Sequence, residues 1–232
     1  MKLDSYNLFA RAFPAILCGI PFFILYFFLL RPIMGEFWST LFNLKIISDI
    51  TFSAVLLFFL LELNRIISKE LFENKIYRNG LTFPTTNFLL HQNQQFSEEY
   101  LQKIHKKIKS DFGITIPNRH KEIKNEYKSR KQIVEAVNHM RIKVGKGKLL
   151  GQHNIEYGFF RNFAGGTLIA TVASLFNIII FRWIYFNNQV FLLSFAFLIV
   201  YLFLSLFSKK IINITGQNYA RVLIQEYMSL VN

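Results

Sequence analysis

Two apolar runs, residues 163–185 and 190–207, lie back to back with only Phe186, Asn187, Asn188 and Gln189 between them. A helix rises about 1.5 Å per residue and the hydrocarbon core of a bilayer is roughly 30 Å thick, so about 20 apolar residues cross it. Each run is near that length, and a four-residue join leaves room only for a tight turn. The pair reads as a membrane helical hairpin. A second pair, residues 13–30 and 47–63, reads the same way near the N-terminus. The segment between the hairpins must then lie on one side of the bilayer.

Composition narrows the class further. The 232 residues include 27 Phe and are 52% hydrophobic, and a water-soluble domain seldom carries so many Phe in uninterrupted runs. The formal net charge of +13 is unevenly placed. Residues 64–161 hold 19 Lys and Arg against nine Asp and Glu, together with all five His. Cys18, inside the first apolar run, is a single thiol that pairs with no other cysteine of the chain, and it is expected to pack as a small hydrophobe. The first run exceeds the roughly 7–15 apolar residues of a signal peptide and has no small-residue cleavage site, so it is expected to remain as a membrane helix.

The expected fold is an all-α integral membrane protein in which two transmembrane helical hairpins flank a basic cytoplasmic helical domain. Residues 1–63 carry spans at about 12–30 and 44–63, and 64–161 form the basic domain. Residues 162–208 carry spans at 163–185 and 190–207, and 209–232 form a tail. The second span starts near either Leu41 or Ile50. The basic segment, Lys2 and Arg11, and Lys209 and Lys210 all fall outside the short loops, so both termini are expected to be cytoplasmic. The expected compartment is the bacterial inner membrane.

Local signals fill in the rest. Pro14 suits a first helical turn, whereas Pro21 falls mid-helix and should kink it. Asn79-Gly80 is a helix stop, and residues 82–86 read as a loop. Ser97 is an N-cap followed by Glu98 and Glu99, for a helix with Tyr100, Leu101, Ile104 and Ile108 on one stripe. One long helix is expected from about Arg119 to Lys143, with Ile123, Tyr127, Val134, Val137 and Met140 as its apolar stripe and Glu126–Arg130 as an ion pair. The tail carries Tyr219, Val222, Leu223 and Tyr227 along one side.

Chemistry-bearing motifs are sparse. The His residues show neither H-x-x-x-H nor H-E-x-x-H spacing, so no metal site is expected, and no cofactor. G-x-S-x-G and paired carboxylates are absent from the sequence, so an enzyme is not expected. Gly145-Lys146-Gly147-Lys148 lacks phosphate-loop spacing and reads as a flexible basic turn. With Lys106, Lys107, Lys109, Arg130 and Lys131, the lysines Lys146 and Lys148 form a candidate surface for anionic lipid headgroups or a nucleotide ligand. Gly166, Ala170 and Ser174 recur every fourth residue, a helix-packing stripe within the chain or between subunits of a homo-oligomer. Arg182 is an intramembrane charge at a depth similar to that of Asp49. Lys45, Asp49 and Arg182 are the candidate polar pathway, with Asp49 and Arg182 expected to pair.

The run Tyr157-Gly158-Phe159-Phe160-Arg161-Asn162, with Pro84-Thr85-Thr86, resembles a pattern in poorly characterised bacterial inner-membrane proteins. The layout of the whole chain is similar to that of pore-forming four-helix effectors of bacterial anti-phage systems. That resemblance implies a protein that perturbs the bilayer when a cytoplasmic signal arrives, and it assigns no site residues. The functional expectation is an oligomeric channel-like or membrane-perturbing effector controlled by its cytoplasmic domain. A non-conducting anchored adaptor that recruits a cytoplasmic protein is the alternative, and a lipid-handling enzyme or transporter ranks last.

Overall fold

The computed structural model describes residues 4–33, 45–145 and 147–230, and the side chains of residues 45–48 and of Lys148 are not described. The described residues are all-helical, without strands. Four helices are long and apolar enough to cross a membrane: α1 (Asn7–Ile33), α2 (Asp49–Tyr77, with a helical lead from Lys45), α7 (Leu149–Ile184) and α8 (Asn188–Ser229). Between α2 and α7 lie α3 (Pro84–Phe88), α4 (Glu98–Phe112), α5 (Arg119–Lys124) and α6 (Glu126–Val144). The chain divides into two compact units. The first is Met1–Phe72 with Gly158–Lys209, and the second is Glu73–Tyr157 with Lys210–Asn232.

In the first unit, α1 and α7 run parallel while α2 and α8 run antiparallel to them. Ala10 meets Asn162 and Pro21 meets Asn177 in ascending order, whereas Asp49 meets Tyr26, Leu60 meets Gly19 and Asn64 meets Gly166. The apolar contacts fall into clusters along this length: Ala15, Leu60 and Leu61; Cys18, Ala170 and Tyr201; and Ile24, Ile180, Phe181 and Val190. The outward faces of α2 and α8 carry Val55, Phe58 and Phe59, and Leu202, Phe203 and Leu206, all exposed. An apolar face of that extent suits lipid rather than water.

The prolines of α1 decide much of this packing. Each lacks an N–H, so the carbonyl four residues earlier loses its intrahelical donor. Pro14 strands Ala10 O, and Asn162 Nδ2 donates to it at 2.7 Å. Pro21 strands Leu17 O, and the Tyr201 hydroxyl donates to it at 2.6 Å. Away from water, these donors from α7 and α8 are what make two helix-breaking residues tolerable. The join between α7 and α8 is tight: Phe186 takes a left-handed φ of 48°, and Asn187 Oδ1 caps α8 by accepting from Val190 N at 3.2 Å.

The second unit has an aliphatic and aromatic core, including Leu89, Ile104, Ile108, Ile133, Met140, Ile212, Leu223 and Tyr227. Ser97 caps α4 as its sequence suggests, and Arg78, Asn79 and Gly80 turn left-handed after α2. The expected long helix is broken. Asn125 leaves helical geometry (φ −149°), and its Oδ1 accepts from Lys128 N, starting α6 afresh. An Asn side chain competes with the helix for backbone donors, which charge and apolar periodicity do not reveal. Ile123 and Tyr127 are accordingly exposed, and the buried stripe is Ile133, Ala136, Val137 and Met140.

Two further expectations change. Residues 82–86, expected as a loop, turn helical from Pro84 onward, forming a short helix, Pro84–Phe88, with Pro84 in its first turn. The tail is continuous with the last apolar run as α8, and its Tyr219, Val222, Leu223 and Tyr227 are buried in the second unit. Tyr227 donates to Asp111, which also pairs with Lys143 at 2.9 Å, tying the tail to α4 and α6. Burial of the Asp111 carboxyl opposes ionisation. The hydrogen bonds from Lys143 and Tyr227, with the charge of Lys107, outweigh it and hold Asp111 below the usual carboxylate range.

Candidate polar pathway

The stripe Gly166–Ala170–Ser174 on α7 extends at both ends into amides, Asn162 and Asn177, giving positions 162, 166, 170, 174 and 177 on one helix face. At about 1.5 Å per residue this face is roughly 22 Å long. Asn162, Ser174 and Asn177 are buried to 1% exposure or less, as is Asn64 on the facing helix α2. Asn177 Nδ2 donates to Pro21 O at 2.7 Å, as Asn162 Nδ2 does to Ala10 O. Their Oδ1 atoms, Ser174 Oγ and both amide atoms of Asn64 have no partner among the described residues. Buried polar groups are nearly always satisfied by protein or ordered water, so these atoms are the candidate polar contacts of this helix face.

The same face is closed at one level. A Cβ on Gly165 would stand 2.7 Å from Ser68 N and 2.8 Å from Asn64 O. A Cβ on Gly166 would stand 2.7 Å from Cys18 Sγ. The two glycines bring α7 against the backbone of α2 and the thiol of α1 with no room for a methyl group. Ser68 Oγ reinforces the contact, donating to Asn64 O and lying 3.2 Å from Asn162 O. Gly166, Ala170 and Ser174 therefore face neighbouring helices of their own unit.

The charged residues named from sequence are dispersed. Asp49 is held by Arg31 at 2.8 Å and by the Tyr26 hydroxyl, and Phe52 stacks on Tyr26 at 4.2 Å between ring centroids. Arg182 is exposed, reaching Asn188 Oδ1 at 3.4 Å and lying over Phe191. The expected Asp49–Arg182 pair is thus replaced by Asp49–Arg31. The side chain of Lys45 lies outside the described residues.

The basic candidates also separate. Lys106 and Lys109 are exposed on α4, whereas Lys107 donates to Leu230 O at 2.6 Å. Arg130 is engaged with Leu81 O, Asn87 Oδ1 and Glu126, so it pins the loop after α2. Lys131 sits over the Tyr127 ring. Lys146 and the side chain of Lys148 lie outside the described residues.

No family model, curated protein or solved structure matches the chain. The assignment rests on its own geometry. Sequence reading missed Asn162 and Asn177, although they stand four and three places beyond the ends of the small-residue stripe, and it missed Asn64, which carries no such local signal.

Proposed function

We propose that this chain is a multi-pass membrane protein whose four-helix unit passes ions or small polar solutes along the buried face of α7, in a state closed at Gly165 and Gly166. The row of unpartnered Asn64, Asn162, Ser174 and Asn177 atoms supports this reading, because such groups are costly in hydrocarbon unless a polar species reaches them. Opening requires α7 to part from α1 and α2 at the glycines. Two apolar helices on either side of the basic segment leave the ends of both pairs on one side of a bilayer. The basic segment then faces one side of the bilayer, the cytoplasmic side by the positive-inside tendency, where it acts as the control element of a bacterial inner-membrane effector working as a homo-oligomer.

A second reading, a non-conducting anchored adaptor, is favoured by the glycine contacts themselves, which leave no methyl-sized gap in the seam. Ion flux from liposomes containing the purified chain separates the two. The conducting reading expects dye-reported potassium or proton leak when the closed seam is loosened by Gly165→Ala, lost when Asn64→Leu is added. Wild-type flux indistinguishable from empty liposomes, also with the glycine contact loosened by Gly165→Ala, overturns it in favour of the adaptor.

A further inference from the structure

A cleft of about 620 Å³ opens in the second unit where residues 115–118 pass beneath the junction of α5 and α6. That volume lies within the roughly 300–1,000 Å³ of small-molecule sites. Ile116 and Pro117 supply a buried apolar floor, and Lys121, Lys124 and Lys128 line the walls. Asn125 causes the arrangement. On one continuous helix the three lysines would form a straight ridge, but the break at Asn125 redirects the chain between the second and the third, so that all three border one hollow.

The neighbouring carboxylates do not neutralise these lysines. Glu122 is 1% exposed and accepts the backbone N–H groups of His91 at 2.9 Å and Gln92 at 3.3 Å. Glu126 is paired with Arg130 at 2.7 Å. Among the described residues no acidic side chain lines the cleft, and no carboxylate pairs with Lys121, Lys124 or Lys128. Three ammonium groups around one hollow repel each other until an anion enters, and they offer up to nine N–H donors to it.

We propose that this cleft binds a phosphate-bearing anion carrying several negative charges, with its organic part against Ile116 and Pro117. Its role as a trigger rests on the reading of the basic unit as the control element, but binding is measured without flux, so the two can fail separately. Such an anion reaches the cleft either as a free oligophosphate or nucleotide or as a phospholipid headgroup.

The test is calorimetric titration of inorganic tripolyphosphate into the full chain in dodecylmaltoside. Saturable binding is expected that weakens as salt rises. The triple variant Lys121→Gln, Lys124→Gln, Lys128→Gln should weaken it about a hundredfold. A control triple on α4, Lys103→Gln, Lys106→Gln, Lys109→Gln, should change it less than about threefold, because those exposed lysines do not line the cleft and act on it only through screened solvent. All six are exposed, and unchanged far-UV circular dichroism verifies folding of each variant. Repeating the titration in nanodiscs identifies the source. Affinity unchanged by phosphatidylglycerol points to a free anion, and affinity lost when phosphatidylglycerol is present points to the headgroup. Absence of saturable binding, or equal weakening by both triples, overturns the proposal.

Discussion

If Tyr201 stands in for the donor that Pro21 lacks, its value must depend on the proline. The hydroxyl lies 2.6 Å from Leu17 O, on a side chain only 3% exposed, inside the cluster with Cys18 and Ala170. Tyr201→Phe keeps the ring and removes the donor, leaving a buried carbonyl unpaired. Hydrogen bonds between helices in membranes average about 0.6 kcal/mol and reach about 1.7, while an orphaned buried acceptor costs about 1–3 kcal/mol. A loss of about 1.5 kcal/mol is expected here, near the top of the membrane range because no neighbouring N–H replaces the one missing at residue 21.

In a Pro21→Ala background the restored N–H can satisfy Leu17 O within the helix. There Tyr201→Phe should cost no more than about 0.5 kcal/mol, a coupling of about 1 kcal/mol in the double-mutant cycle. Reversible unfolding in dodecylmaltoside–SDS mixed micelles, followed by circular dichroism at 222 nm, measures all four proteins. Equal costs of Tyr201→Phe in both backgrounds would refute the substitution argument and leave Tyr201 as packing alone.

Other perturbations probe the rest of the structure. Gly165→Ala should destabilise by about 1–3 kcal/mol, because the new methyl meets the Ser68 backbone, whereas Gly151→Ala, with nothing within 4 Å, should be neutral or gain up to about 1 kcal/mol in the same unfolding assay. Asp49→Asn should cost about 1 kcal/mol by releasing Arg31, while Arg182→Gln should change stability by less than about 0.5 kcal/mol, and the reverse order would restore the Asp49–Arg182 pairing. Burial, with a smaller contribution from His91, lowers His105 from 6.5 to about 4 against the opposing bond to Leu89 O. Its folded-state value lies below the unfolded one, so its contribution is fully present above pH 6.5 and is lost as pH falls towards 4. At pH 5.5 the loss is about 1 kcal/mol, read as faster amide exchange in α4 that His105→Phe abolishes.

Much of this architecture follows from spacing visible in the chain. Four apolar runs gave four long helices, the four residues 186–189 gave the tight join, and Ser97 capped α4, because length, turn size and capping are local properties. The break at Asn125 was not legible, since one amide hydrogen bond to Lys128 N overrides a helical pattern on both sides. Nor was the Arg31–Asp49 pair. Matching charges by depth alone paired Asp49 with Arg182, whereas the first hairpin folds Arg31, 18 positions earlier, directly onto it. The donors for Pro14 and Pro21 lie 152 and 184 residues from the carbonyls they serve. A proline announces that a carbonyl is orphaned, but only the fold identifies the side chain that reaches it.

Asn64 separates structural from functional use of the polar face. Asn162 and Asn177 each hold an α1 carbonyl, so replacing either removes a hydrogen bond along with an orphaned oxygen. Asn64 is different: at 1% exposure neither amide atom has a partner among the described residues, and removing both takes no bond to them away. Asn64→Leu keeps the number and branching of heavy atoms, and removing the unpaired amide should stabilise the folded chain by about 1–3 kcal/mol, less what the bulkier methyls cost against the tight Gly166 contact. A residue that serves only the fold has no reason to hold such a penalty, whereas a residue that solvates a passing ion must keep its polar atoms uncommitted until the ion arrives. The proposed pathway thus expects a more stable protein with lost flux, a trade between stability and function. A variant that is stabilised yet conducts as wild type would remove Asn64 from the pathway. A destabilised variant would mean that its amide is satisfied in the membrane after all, and the argument from unpartnered atoms would fail with it.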